Sequence, residues 1–115
     1  MCIRDRVWNG TSWSIETTPN PSGTQASTLE GVSCTSSTKC IAVGGSEDSS
    51  GNITTLVEKR KGTRWSIETT PNPSGSEDTL LKSVACTSTS SCTAVGEYTT
   101  ISSVEVTLVE VGPSP

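Results

Sequence analysis

Short stretches of this chain alternate apolar with polar residues, and each stretch stops at a cluster of Gly, Pro, Asn or Ser. In residues 7–18, Trp13 and Ile15 share one side and Ser14 and Glu16 the other. In residues 29–34, Val32 and Cys34 share a side. Alternation with period two over such lengths is the pattern of β-strands. It predicts strands at residues 7–18, 29–34, 40–44, 53–60, 63–70, 80–86, 92–96 and 104–111, and no helix.

The turn residues agree with this division. Lys61-Gly62 is expected to form a tight turn between the third and fourth strands of a unit, with Asn9-Gly10 at the matching place earlier in the chain. Asn-Gly between apolar runs is a strong hairpin signal because both residues accept positive φ. Pro-Asn-Pro-Ser-Gly ends a strand at residues 19–23 and again at 71–75. Pro cannot donate to a ladder, so these segments are expected to connect units. Residues 45–52 are expected to form a polar loop.

The same pattern returns after 52 residues. Trp-Ser-Ile-Glu-Thr-Thr-Pro-Asn-Pro-Ser-Gly begins at Trp13 and is repeated unchanged from Trp65. Cys34 and Cys40 match Cys86 and Cys92, Ala42-Val43-Gly44 matches Ala94-Val95-Gly96, and Thr55-Leu56-Val57-Glu58 matches Thr107-Leu108-Val109-Glu110. A fixed period of this size marks a repeat architecture, and four strands per period is the pattern of a β-propeller blade. The expected fold is therefore all-β, with antiparallel four-stranded blade repeats forming a partial β-propeller.

Residues 1–6 fit no part of the repeat and resemble a translated sequencing adapter, so they are set aside from fold reasoning. Residues 7–23 then read as the last strand of a preceding blade plus its connector, 24–75 as the first full repeat, 76–111 as a second, incomplete repeat, and 112–115 as a tail. The chain reads as a fragment. Two blades cannot close a ring, so further blades of the same chain, or else a homo-oligomer, are expected. The surplus strand at the start matches the missing strand at the end, as when a first strand completes a last blade.

Composition narrows the class. The chain has 115 residues, only 30% hydrophobic, with no Phe, too few large apolar side chains for one large core. Ser and Thr make up about a third of the residues. A mucin-like stalk could have that composition, but it needs neither alternation nor a period. A net charge of −4 argues against nucleic acid and against an anionic membrane surface. No apolar run approaches membrane-spanning length.

Four of the five cysteines form two equivalent pairs, each spaced C-x5-C. Facing residues of an antiparallel hairpin sit near the separation that a disulfide needs. Disulfides Cys34–Cys40 and Cys86–Cys92 are expected to clamp two hairpins, which places the protein in an oxidising compartment, secreted or at the cell surface. A four-Cys zinc site is the alternative, but it normally shows C-x2-4-C spacing.

The repeat is similar to a family of bacterial, chiefly actinobacterial, secreted repeat proteins with blade-like units. The resemblance rests on Val7-Trp8-Asn9-Gly10-Thr11-Ser12-Trp13, Pro19-Asn20-Pro21, Val32-Ser33-Cys34-Thr35-Ser36 with Cys40, and Ala42-Val43-Gly44. It covers residues 7 to about 110. The second copies depart in places, with Arg60 where Trp8 stands and Ala85 where Ser33 stands. The resemblance implies the fold and secretion, and no particular activity.

The residues offer little catalytic chemistry. His is absent, so a Ser or Cys nucleophile has no imidazole base. Glu16 and Glu68 stand opposite the Trp and Ile face and read as solvated strand positions. A glycosidase needs two converging carboxylates, which the repeat does not suggest. Gly10-Thr11-Ser12-Trp13 and Gly62-Thr63-Arg64-Trp65 match only the tail of the Asp-box of sialidase-like propellers. Residues 46–52 are rich in oxygen ligands but lack the acidic spacing of a calcium loop. Asn9 and Asn52 begin formal glycosylation sequons.

Trp13, Ile15, Trp65 and Ile67 are expected in the core between units, and Trp8 is the weak candidate for a sugar-stacking or other binding position. No catalytic residue, metal or cofactor is expected. The expected function is a non-catalytic module that binds or scaffolds a protein or a glycan. A fragment of a glycan-cleaving propeller enzyme, with its catalytic residues in missing blades, is the alternative.

Overall fold

The structure is a computed structural model that describes residues 3–8, 13–21, 23, 26–68, 72, 76–88, 91–100, 102 and 105–112. Among these the chain forms nine strands and no helix: β1 (Ile3–Trp8), β2 (Trp13–Thr18), β3 (Ala26–Ser36), β4 (Lys39–Glu47), β5 (Ile53–Lys61), β6 (Arg64–Glu68), β7 (Ser76–Ser88), β8 (Ser91–Thr100) and β9 (Glu105–Gly112). Every pairing is antiparallel between consecutive strands, in three separate sheets ordered β1-β2, β3-β4-β5-β6 and β7-β8-β9. The all-β antiparallel expectation holds at this level.

The boundaries differ from expectation in several places; β3, β7 and β8, for example, run beyond the expected residues 29–34, 80–86 and 92–96. Residues 7–18 form not one strand but the end of β1 and the whole of β2, which pair with Trp8 opposite Trp13; the turn expected at Asn9-Gly10 lies outside the described residues. β1 also reaches back to Ile3, within the six residues set aside. β4 continues through Gly45, Ser46 and Glu47, which pair with Thr55, Thr54 and Ile53. The connection from β4 to β5 can be that short because Asp48 builds it. Its carboxylate Oδ1 accepts the N–H groups of Ser50 at 2.9 Å and Asn52 at 3.0 Å, an arrangement typical of Asx turns. Gly51, at φ 87°, supplies the left-handed residue.

Repeat symmetry extends to the register. β5 meets β6 with Arg60 opposite Trp65 and Glu58 opposite Ile67. β1 meets β2 with Trp8 opposite Trp13 and Arg6 opposite Ile15, the same pairing displaced by 52 residues. The inner hairpins match as well, each carrying a bulge just after Leu29 or Leu81.

That bulge explains the glycine in each Ala-Val-Gly. Gly44 faces Leu29 and Gly96 faces Leu81. The bulged strand folds its backbone over the glycine, so a Cβ at Gly44 would meet the carbonyl of Thr28, and one at Gly96 the carbonyl of Leu80. Bulges increase local twist and bring backbones close in this way.

The core lies between the second and third sheets. β7 crosses the face of β3, β4 and β5. Ile41, Val43 and Val57 from below meet Leu81, Val84, Cys92 and Ala94 from above, with Cys86 packed at the edge. Polar contacts also fix this junction. The Cys86 N–H donates to Ser33 Oγ at 3.0 Å, and the Ile53 N–H donates to Asp78 Oδ1 at 2.9 Å.

Candidate functional site

The disulfides form where the two cysteine pairs place them. Cys34 faces Cys40 and Cys86 faces Cys92 in register, each pair with a Cα–Cα distance of 4.0 Å. They close the necks of the β3-β4 and β7-β8 hairpins. At the end of the second sheet that carries Cys34–Cys40, two further contacts tie the turns together. Arg60, buried at the position of Trp8 in the earlier copy, donates through Nη1 to the Ser37 carbonyl at 2.7 Å. The Gly62 N–H donates to the Thr38 carbonyl at 3.0 Å.

Closing so short a loop constrains the unfolded chain by about 2 kcal/mol on the chain-entropy argument. Replacing Cys34 and Cys40 together with alanine should lower the unfolding free energy by that amount in urea melts. Thiol titration of the denatured, unreduced chain should find one thiol, from Cys2. Five would overturn both pairings.

Other expected positions fall as follows. The side chains of Trp8, Trp13 and Ile15 lie outside the described residues. Trp65 is half-buried, and Ile67, expected in the core, is 40% exposed. The reason is position in the sheet: β6 is the outermost strand, and β7 crosses the face of β3, β4 and β5. Glu68 holds Lys59 at 2.9 Å on the surface, as Glu97 holds Lys82 at 2.9 Å.

The oxygen-rich loop uses its carboxylate on its own amides, as described above. Among the described residues there is no cluster of three or more His, Cys, Asp or Glu able to hold a metal ion. Asn52 is exposed, and Asn9 lies outside the described residues.

No known protein family, curated protein or solved structure matches this chain.

The surface feature that stands out is apolar. Val95 on β8 and Val109 on β9 face each other in register and are 44% and 62% exposed. Their equivalents in the first unit, Val43 and Val57, are 0% and 9% exposed because β7 lies on them. Val32 on β3 is exposed, whereas its equivalent Val84 is buried in the junction. Each unit thus carries two complementary apolar faces. The structure unites one such pair and leaves Val95 and Val109 open; on the first unit's far side Val32 is exposed, while Ala42, Leu56 and Glu58 beside it are buried.

Three structural residues were not singled out from the sequence. Asn72, in the second connector, accepts through Oδ1 from the Thr55 N–H and from Thr55 Oγ1, both at 3.1 Å. Its occurrence in both identical connectors was the available signal. Asp78 has Ala26 as its equivalent, so the repeat gave no hint of it. Glu58 is fully buried; its recurrence as Glu110 was visible, but not its burial.

Proposed function

We propose that this chain is part of a secreted or cell-surface β-propeller-like array acting as a non-catalytic module that binds or scaffolds a protein or a glycan. The observation that carries this is the pair of burials at one repeat position. Val43 and Val57 are covered by the next unit, while Val95 and Val109 lie open. A unit whose apolar face is completed only by its neighbour belongs to an array. The blade reading is supported by the four-strand meander and by the first strand of one unit packing over the sheet before it.

Secretion is supported by the two disulfides, which persist in oxidising compartments. No helix among the described residues is long and apolar enough to cross a membrane. The non-catalytic reading is supported by how the carboxylates are used. Asp48 and Asp78 hold backbone amides, and Glu68 and Glu97 hold lysines.

The test is a glycan array and a panel of cell-surface proteins probed with the full chain, alongside turnover assays on aryl glycosides. Saturable binding without turnover is the expected outcome. Glycoside turnover that follows the purified chain would overturn the proposal.

A further inference from the structure

We propose that the end of the second sheet built from the β3-β4 and β5-β6 turns binds an acidic polysaccharide through a row of three cations, Lys39, Lys61 and Arg64. The inference rests on the binding-module reading above and names the ligand class and the residues that take it.

Lys39 stands opposite Lys61, and Lys61 stands opposite Arg64. The three share one face and cross three adjacent strands, spanning about 10 Å at the usual strand spacing. Facing like charges weaken a sheet, so the row does not serve stability. Among the described residues no carboxylate pairs with any of the three. Glu68 holds Lys59, two residues along β5, and Glu97 holds Lys82. Lys61 and Arg64 are exposed and Lys39 is half-buried. Glu47 and Asp48 lie at the opposite end of the sheet.

The repeat does not demand these charges. The chain is acidic overall, yet five of its eight Lys and Arg, at positions 39, 59, 60, 61 and 64, fall in this one unit. Displaced by 52 residues, Ser91 stands for Lys39, Asn9 and Pro113 for Lys61, and Ser12 for Arg64. One scaffold with charges added in a single copy is how a site is grafted on a fold. All four strands of this unit, β3 to β6, lie within the described residues, and both turns sit between them.

The turns form a tied platform. The Gly62 N–H donates to the Thr38 carbonyl, and Arg60 to that of Ser37. Ser36, Ser37, Thr38 and Thr63 expose hydroxyls in the same turns, which suit the hydroxyls of a sugar. Lysines are point charges on flexible stems, suited to sulfate or carboxylate groups spaced along a chain. No aromatic residue stands in the row or its turns to stack a base. The net charge of −4 opposes a long duplex or an anionic membrane beyond the row.

The experiment measures binding of the full chain to immobilised dextran sulfate, polygalacturonate and uncharged dextran over a salt series. Binding to one or both acidic polymers, weakening as salt rises, and none to dextran is expected. The two acidic polymers tell sulfate from carboxylate recognition. Lys61→Asn should weaken binding about threefold, and Lys61→Asn with Arg64→Ser about tenfold. Both install residues of the first copy, so the fold should tolerate them. Lys82→Ser removes the same charge from the second unit and should leave binding unchanged. Equal losses at Lys61 and Lys82, no binding to either acidic polymer, or equal binding to dextran would overturn the proposal. So would tighter binding to duplex DNA or phosphatidylglycerol vesicles run alongside. A chain that ignores both acidic polymers but binds a neutral glycan or a protein would overturn the row and leave the binding-module reading standing. Binding through the row with cleavage of the polysaccharide would support the site and count against the non-catalytic reading.

Discussion

Replacing Leu81 with alanine should cost the folded chain about 3 kcal/mol, while the same change at Leu29 should cost about 1 kcal/mol. The two leucines occupy the same repeat position, face the glycine of the same Ala-Val-Gly and precede the same bulge. They differ in what covers them. Leu81 is fully buried among Ile41, Val43, Val57 and Val84, and Leu29 is only half-buried. A buried leucine reduced to alanine loses its transfer energy and leaves a cavity bounded by two sheets, neither of which can close over it alone. Urea unfolding of both variants measures the difference. Equal losses would mean that the stacking of the second unit on the first adds nothing at this position.

Gly44→Ala and Gly96→Ala should each destabilise by about 3 kcal/mol, a large effect for one methyl group. The added Cβ would meet the carbonyl of Thr28 or Leu80. These are backbone atoms held by the bulge and cannot swing aside as a side-chain end can. Gly51→Ala is the contrasting case. Its Cβ would meet nothing, so only its φ of 87° opposes the change, at about 1 kcal/mol. Thermal or urea melts of the three variants separate crowding from backbone strain. If Gly51→Ala proved the worst of the three, the close approach at the bulges would not be the reason for the repeated glycine.

How much of this was legible in the chain depends on the range of each interaction. The two disulfides were, because Cys34 and Cys40 lie six residues apart on one hairpin, and turn chemistry brings such residues face to face. The strands were, because alternation with period two is local. Lys61-Gly62 was legible as a turn, and Gly62, at φ 68°, joins β5 to β6 there, whereas Asn9-Gly10 lies outside the described residues. The candidate site was far less legible. Nothing local distinguishes Val95 from Val43, or Asp78 from an ordinary surface acid.

By itself, then, the sequence determined the strands, their order, the paired cysteines and a register repeated every 52 residues, all set by neighbours along the chain. The tertiary structure alone decided which repeated faces are covered. Cys40-Ile41-Ala42-Val43 is buried along its whole length, whereas the matching Cys92-Thr93-Ala94-Val95 alternates buried with exposed. It also decided that Ile67, on an outermost strand, stays partly in solvent. The physical reason is that a period-two pattern fixes which side of a sheet a residue faces, while burial requires a second surface, which for Ile41, Val43 and Val57 is supplied by the unit 52 residues away.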